Sequence, residues 1–190
     1  SDLPKVSSTD WNLILVNRDN QQEEKTPDLT QIGEIQVDSR IAENTRQFLA
    51  AAQAIAPEET LISGYRSRAE QEELYNEKVA GEVAKGLSNE EAVSIVLKQV
   101  QLPGASEHQT GLAIDMSAPE GQEDELAAKI AQLAPQYGFV LRYPDGKSDI
   151  TGVDFENWHY RYVGVENARY MQKHNLVLEE YIALLKEAGK

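Results

Sequence analysis

The sequence predicts a single compact α+β domain, in which a small antiparallel sheet is flanked by helices. Three observations lead to this prediction. The 190 residues fit one domain of ordinary size. Hydrophobic residues make up 41% of the chain and charged residues 26%, a balance that supports a core and argues against wholesale disorder. Strand-like and helix-like segments also follow one another without the regular repeats of a parallel βαβ fold.

Short apolar or alternating runs predict five strands. We expect these strands at residues 11–16, 60–62, 112–116, 139–143 and 158–163. In the third strand, Leu112, Ile114 and Met116 alternate with Ala113 and Asp115. Because side chains alternate between the faces of a strand, Asp115 is expected on the face opposite the apolar row.

Apolar residues at helical spacing predict the helices. We expect them near residues 41–55, from about residue 67, and at 88–100, 126–137, 165–174 and 178–188. Pro57 ends the first, residues 88–91 form a capping box, and Pro103 with Gly104 ends the helix that follows the box. The polar residues 17–31 are expected to form a surface loop.

Composition excludes several classes of function. The chain has 18 basic and 32 acidic residues, a formal charge of −14, which argues against binding nucleic acid or an anionic lipid surface. It has no cysteine, so disulfides, thiol catalysis and thiolate metal sites are excluded. No apolar run approaches the roughly 20 residues of a membrane span. The start at Ser1 without a methionine leaves open a removed export signal or membrane anchor.

Two of the three histidines lie in segments that suit a zinc site. Zinc without cysteine needs imidazole and carboxylate ligands. His108 and Asp115 are separated by a glycine turn and the start of a strand, and a neighbouring strand would bring His159 within range. Such a set leaves a fourth position for water, whose pKa would fall to about 7. The alternatives stay open: a polar loop residue for His108, a hydrogen-bonded structural acid for Asp115, and a core residue for His159.

Three further side chains are candidates for catalysis or binding. Glu156 lies three residues before His159 and could move protons, although among 32 acidic residues its spacing alone favours a solvated surface acid. Arg66 follows a strand-end turn and could stabilise an oxyanion or form a surface salt bridge. Gln71 could bind a peptide end or be merely solvated. The third histidine, His174, is assigned a structural role near a helix end.

Residues 106–115, S-E-H-Q-T-G-L-A-I-D, match the motif S-x-H-x-x-G-x-A-x-D. This segment closely resembles the zinc D-alanyl carboxypeptidases of the VanY and LD-carboxypeptidase group. Further similar segments follow the same order along the chain, at residues 13–17, 63–67 with Gln71 and Tyr75, 137–144 and 156–164. The resemblance covers roughly residues 11–170 of one domain spanning 1–190, with the C-terminal helices beyond it.

The resemblance implies a role for each candidate. His108, Asp115 and His159 would hold one zinc ion on the small sheet. Glu156 would act as general base and then acid, and Arg66 would stabilise the charge on the scissile carbonyl. The substrate-binding candidates are Gln71, Ser106, Tyr65 and Ser63.

The resemblance also implies the substrate, a peptidoglycan stem peptide that loses its terminal D-alanine in the bacterial envelope, outside the cytoplasm. No protein partner is evident. We expect LD-carboxypeptidase activity on tetrapeptides, because the whole-chain pattern is nearer that branch. The alternative is DD-carboxypeptidase activity on pentapeptides. Two other interpretations are a non-catalytic peptidoglycan-binding module and an α+β domain with structural histidines.

Overall fold

Six short strands form two antiparallel sheets in the computed structural model, which describes residues 2–190. The strands are β1 (Leu29–Ile32), β2 (Ile35–Asp38), β3 (Thr60–Ser63), β4 (Ala113–Ser117), β5 (Phe139–Leu141) and β6 (His159–Tyr162). Strands β1 and β2 form a hairpin, and the other four form a sheet in the order β3-β4-β6-β5. Chain neighbours are therefore not always sheet neighbours, since β6 lies between β4 and β5.

Seven α-helices surround the sheets within the described residues. They are α1 (Ala42–Ile55), α2 (Arg68–Ala84), α3 (Asn89–Val96), α4 (Asp124–Leu133), α5 (Ser148–Thr151), α6 (Val165–Lys173) and α7 (Leu178–Glu187). Helices α2 and α3 start at the capping boxes of Ser67 and Ser88, as the sequence predicts for Ser88. None of the helices in residues 2–190 is long and apolar enough to cross a bilayer.

The α+β prediction is confirmed, with four of the five strands and all the longer helices near their expected places. The strand expected at residues 11–16 is wrong. The segment forms a short 3-10 helix, Trp11–Leu13, followed by irregular chain. The guanidinium of Arg161 donates to the carbonyls of Asn12 (3.0 Å) and Ile14 (2.8 Å), so a buried cation takes the place of a neighbouring strand.

Two other expectations need correction. The polar loop predicted at 17–31 ends early, because β1 begins at Leu29 and pairs with β2. Helix α3 ends at Val96 rather than near residue 100, and the carbonyl of Leu97 accepts a hydrogen bond from Arg18 at 2.8 Å. The side chains of Arg18 and Gln101 therefore take the place of the next helical amide at this carbonyl.

The core lies in two clusters. The larger one packs α1 and α4 against the sheet and includes Phe48, Ile114, Met116, Phe139 and Tyr160, all fully buried. The second joins α6 and α7 to β5 and to the 3-10 helix near the N-terminus; it includes Leu13, Val140, Val163, Met171 and Leu185. Helices α2 and α3 contribute to neither cluster.

Candidate metal centre and substrate cleft

Three adjacent strands place polar side chains side by side. In the antiparallel register Ser63 of β3 pairs with Asp115 of β4, and Asp115 pairs with His159 of β6. Directly paired residues point to the same face of a sheet. The row Leu112, Ile114 and Met116 is buried, so Asp115 lies on the face opposite the core, as its alternation predicts.

His108 reaches the same place from a loop. It lies in the 3-10 helix Glu107–Thr110, which ends at Gly111 with φ +77°. That left-handed conformation favours glycine, and it turns the chain directly into β4. His108 and Asp115 are therefore joined by a tight return of the chain.

The three candidate ligand groups converge. The Nε2 atom of His108 lies 3.4 Å from Oδ1 of Asp115, and Nδ1 of His159 lies 3.1 Å from the same oxygen. One ligand atom from each of the three residues lies within 4.8 Å of the others. Two imidazoles and a carboxylate are a ligand set that zinc accepts. The structure thus brings together the three residues that the sequence singled out.

Each candidate ligand also contacts a second group through its other polar side-chain atom. The other ring nitrogen of His108, Nδ1, lies 2.9 Å from the carbonyl of Gly64, and the free carboxylate oxygen of Asp115 accepts from Ser63 at 2.5 Å. The Nε2 atom of His159 lies 2.8 Å from Oε1 of Glu107. Metal-binding histidines commonly donate their second ring N–H to a carbonyl or carboxylate. The residues present therefore fit a zinc ion, with Nε2 of His108, Nδ1 of His159 and Oδ1 of Asp115 as donors.

Neighbouring groups in the cluster shift one another's pKa values. Burial alone would raise the pKa of Asp115, but the two neighbouring histidines lower it well below its usual range. Burial likewise opposes protonation of His159, yet hydrogen bonds and the charges of Asp115 and Glu107 raise its pKa to about 10. The two carboxylates beside His159 therefore favour positive charge on its ring.

Glu107 is the centre of a buried charge network that the sequence prediction missed. Its Oε2 atom accepts from Arg142 at 3.1 Å and from Arg161 at 3.0 Å. Arg142 also forms two bonds of 2.7 Å with Glu179 of α7. Although burial raises the pKa of Glu107, these cations and His159 lower it well below its usual range. The available signal was an arginine inside each of two predicted strands, since a buried charge requires a partner.

Glu156 is buried beside the ligand cluster and is 5% exposed. Burial is the main cause that raises its pKa to about 7, and the charge of Asp115 adds to the effect while His159 opposes it. A carboxyl with a pKa near neutrality can both accept and return a proton. The interpretation of Glu156 as a solvated surface acid is therefore not supported by its environment.

Arg66 is held by a chain of amides in the wall of the cleft. Its Nη1 donates to Oε1 of Gln71 at 2.8 Å, and the amide nitrogen of Gln71 donates to the carbonyl of Gln101 at 2.7 Å. The Arg66 backbone N–H donates to the carbonyl of His108. Burial lowers the pKa of Arg66, with the charge of Asp115 opposing this. Arg66 forms no surface salt bridge among the described residues, so it remains available to an anionic group in the cleft.

A cleft of about 430 Å³ opens over the cluster. Its lining includes the candidate ligands and Arg66, Gln71, Ser106, Tyr143, Glu156 and Trp158. Among the described residues, neither Ser63 nor Tyr65 lines it. The hydroxyl of Ser63 holds Asp115, and that of Tyr65 donates to the carbonyl of Lys25 at 3.4 Å. The placement of these two residues therefore gives no support to substrate binding by them.

The third histidine is remote from the cluster. His174 lies at the C-terminal cap of α6, where its ring packs against Tyr170 with centroids 4.2 Å apart. Its Nε2 lies 3.6 Å from a carboxylate oxygen of Asp2. This agrees with the structural role expected for it.

Comparison with known proteins gives a consistent result. Residues 34–165 match the family described as VanY, D-alanyl-D-alanine carboxypeptidase. A D-alanyl-D-alanine carboxypeptidase of Enterococcus faecalis is 39% identical over 91% of this chain and 66% of its own length. The bifunctional D-Ala-D-Ala dipeptidase and carboxypeptidase VanXYC of Enterococcus gallinarum is 34% identical over 70% of each chain. The chain thus spans about two thirds of the length of these curated relatives.

Three solved structures are similar in fold. A VanY D,D-pentapeptidase variant from a VanB-type resistance cassette, in complex with Zn(II), has a TM-score of 0.84 and 38% identity over 91% of this chain and 99% of its own. VanYB in complex with D-alanine-D-alanine has a TM-score of 0.85 and 38% identity, covering 92% and 98%. The LD-carboxypeptidase LdcB has a TM-score of 0.72 and 30% identity, covering 91% and 86%.

Proposed function

Since the chain belongs to the VanY D-alanyl-D-alanine carboxypeptidase family, we propose that it is a zinc-dependent DD-carboxypeptidase. Its substrate would be a peptidoglycan stem peptide ending in D-alanyl-D-alanine, from which it removes the last residue. The observation that carries the proposal is the convergence of His108, Asp115 and His159 beside Glu156 in one cleft.

Our proposal of DD specificity is the opposite of the LD specificity expected from the sequence. The LD activity expected from the whole-chain pattern is not confirmed, and the DD alternative fits better. The VanY structures have 38% identity and TM-scores of 0.84 and 0.85, against 30% and 0.72 for LdcB. The two specificities differ in one stereocentre before the scissile bond, so the shape of the cleft decides between them.

Zinc is the cofactor that the ligand set and the family both support. We assign its binding to His108, Asp115 and His159. When bound, the ion would polarise the scissile carbonyl and lower the pKa of a coordinated water to about 7. Ser63 is reassigned from substrate contact to holding Asp115, whose second carboxylate oxygen accepts its hydroxyl.

Glu156 would move the proton that the reaction requires. Hydrolysis adds the hydroxyl of water to the carbonyl carbon and breaks the C–N bond, and the leaving amine must gain a proton. Glu156 would accept the proton from the attacking water and then donate it to the amine of the departing D-alanine. Its pKa of about 7 suits both steps at neutral pH.

Arg66 would stabilise the negative charge that develops on the scissile carbonyl oxygen. Its guanidinium is already oriented by Gln71, so little reorganisation is needed when charge develops. Because both ends of the Gln71 amide are engaged, we assign Gln71 to orienting Arg66. Ser106 lines the cleft and remains the candidate for binding the substrate's terminal carboxylate.

The proposed setting is the bacterial cell wall, outside the cytoplasm, where peptidoglycan stem peptides are found. We propose that residues 1–190 act as one peptidase domain, since α6 and α7 share a hydrophobic cluster with Leu13 and β5. A non-catalytic peptidoglycan-binding module is disfavoured, because the ligand set and Glu156 are both in place.

The proposal is tested by incubating the zinc-loaded protein with purified pentapeptide and tetrapeptide muropeptides and analysing the products by mass spectrometry. We expect the pentapeptide to lose one alanine and the tetrapeptide to stay intact, and a chelator to stop the reaction. Loss of alanine from the tetrapeptide alone would establish LD activity instead. Binding of both peptides without release of alanine would support the non-catalytic module.

A further inference from the structure

The metal-facing side of the sheet is connected to the C-terminal helix by an unbroken series of charged contacts. His159 bonds to Glu107 at 2.8 Å, Glu107 to Arg142 at 3.1 Å, and Arg142 to Glu179 through two bonds of 2.7 Å. Residues 107, 142 and 179 lie in three separate segments, the last of them on α7. The series is therefore a feature of the tertiary fold rather than of one local motif.

These contacts are buried, and each charged group in the series has a specific hydrogen-bond partner. The side chains of Glu107 and Arg142 are both 0% exposed, and that of Glu179 is 13% exposed. Charge-assisted bonds of this kind are stronger and more directional than contacts between neutral groups. The two oxygens of Glu107 have different partners, since Oε1 faces His159 and Oε2 accepts from both Arg142 and Arg161. Glu107 thus cannot rotate without breaking several bonds.

Arg142 also contacts β6, the strand of His159, through its main chain. Its backbone N–H donates to the carbonyl of His159 at 3.1 Å. The guanidinium is fixed at its far end by Glu179, which in turn accepts from Asn17 at 3.0 Å. Displacement of α7 would therefore change both the main chain and the ring environment of His159.

We propose that Glu107 is a positioning residue for His159 and that α7, acting through Glu179 and Arg142, sets how tightly the site holds its metal ion. The inference deepens the proposed function and rests on it, because it takes His159 as a zinc ligand. Loss of an outer hydrogen-bond partner of a ligand typically weakens metal binding by about 10–100-fold.

The test measures zinc affinity of the full chain by chelator competition, together with the melting temperature of the metal-free protein. Glu179→Gln removes the charge on α7 while preserving shape. Glu180→Gln is its matched control, since Glu180 is the next residue and pairs with Lys147 at 2.9 Å, away from the series. Glu107→Gln tests the inner member directly, and the double variant Glu107→Gln with Glu179→Gln tests whether both act along one route.

We expect Glu107→Gln to weaken zinc binding by about 10–100-fold, Glu179→Gln by at least about threefold, and Glu180→Gln by less than about twofold. The double variant should bind zinc no more weakly than Glu107→Gln alone, because residues acting in series are not additive. Equal zinc affinities for Glu179→Gln and Glu180→Gln would overturn the proposal, even if both variants melt earlier.

Wild-type affinity in a folded Glu107→Gln variant would also overturn it. If that variant does not fold, the comparison of Glu179→Gln with Glu180→Gln decides, because Glu179 lies at the outer end of the series. A wild-type protein that binds no zinc at all would instead contradict the assignment of the ligands, a separate outcome that concerns the proposed function.

Discussion

Strands β3, β4 and β6 form the floor of the cleft, and helices α2 and α3 form its outer wall. The floor is anchored in the main core, and its charged groups are paired through buried bonds. The wall is different, since α2 has 17 residues but its one buried residue is the polar Gln71. Val83 and Ile95 of the wall are 40% and 44% exposed.

The floor and the wall differ in what the proposed function requires of them. Ligand geometry tolerates little error, so two candidate ligands are on strands and the third lies in the tight turn before β4, each with a second hydrogen-bond partner. A wall with few buried apolar contacts opens at lower free energy cost, so it can adjust to a peptide. Gln71 is the point where the two regions meet, because it orients Arg66 over the floor.

The largest effect should come from removing a candidate zinc ligand beside the floor. We expect His108→Ala to weaken zinc binding by more than about 100-fold, the upper end seen when only an outer partner is lost, and to abolish release of alanine. Zinc content by elemental analysis and a peptidase assay check this. His174→Ala is the control, since that histidine lies at the end of α6. Equal zinc content in His108→Ala and His174→Ala would contradict the assignment of His108 as a zinc ligand.

Removal of Glu156, the proposed proton carrier, should leave the metal in place. We expect Glu156→Gln to retain one zinc per chain while turnover falls by about 10²–10⁴-fold, the usual range for general acid–base catalysis. Asp154→Asn, two residues away and exposed, should keep near-normal turnover. Turnover and zinc content are measured on the same samples. Wild-type turnover in Glu156→Gln would show that another group moves the proton.

The wall contributes less, and it contributes through Arg66. We expect Gln71→Ala to reduce kcat by about 10–100-fold with unchanged zinc affinity, because Arg66 loses its orienting partner. Asn76→Ala, another amide on the exposed face of α2, should change kcat by less than about twofold. If Gln71→Ala lowered zinc affinity instead, the wall would also contribute to metal binding, and the proposed division of roles between wall and floor would be wrong.

The sequence was sufficient to single out the three residues that converge, but not the residues that contact them. The alternation around Asp115 and the short return from His108 are local, so residue spacing predicts them. Glu107, Arg142 and Glu179 meet from positions 35 and 37 residues apart, and nothing in local spacing reports such pairing. The same limit explains the false strand at residues 11–16, whose carbonyls bind the distant Arg161.

The smallest effect concerns the opposite end of the floor, where one buried acid lacks a cation. Glu59 accepts from Gln122 at 3.1 Å and, among the described residues, forms no ion pair. Burial raises its pKa, so the protein loses stability as the pH rises from the pKa of Glu59 in the unfolded chain to its higher value in the folded state.

We therefore expect Glu59→Gln to gain stability relative to the wild type between pH 4 and pH 8, because only the wild type must ionise a buried carboxyl over this range. Urea unfolding at both pH values measures this gain, with the exposed Glu58→Gln as control. A constant difference between pH 4 and pH 8 would contradict this.

Anomalous diffraction at the zinc edge from crystals of the metal-loaded protein tests the central claim most directly. We expect one strong peak within about 2.0–2.2 Å of Nε2 of His108, Oδ1 of Asp115 and Nδ1 of His159. A peak at another place in the chain, or a zinc ion bound through Nε2 of His159 with Glu107 displaced, would contradict the site described here.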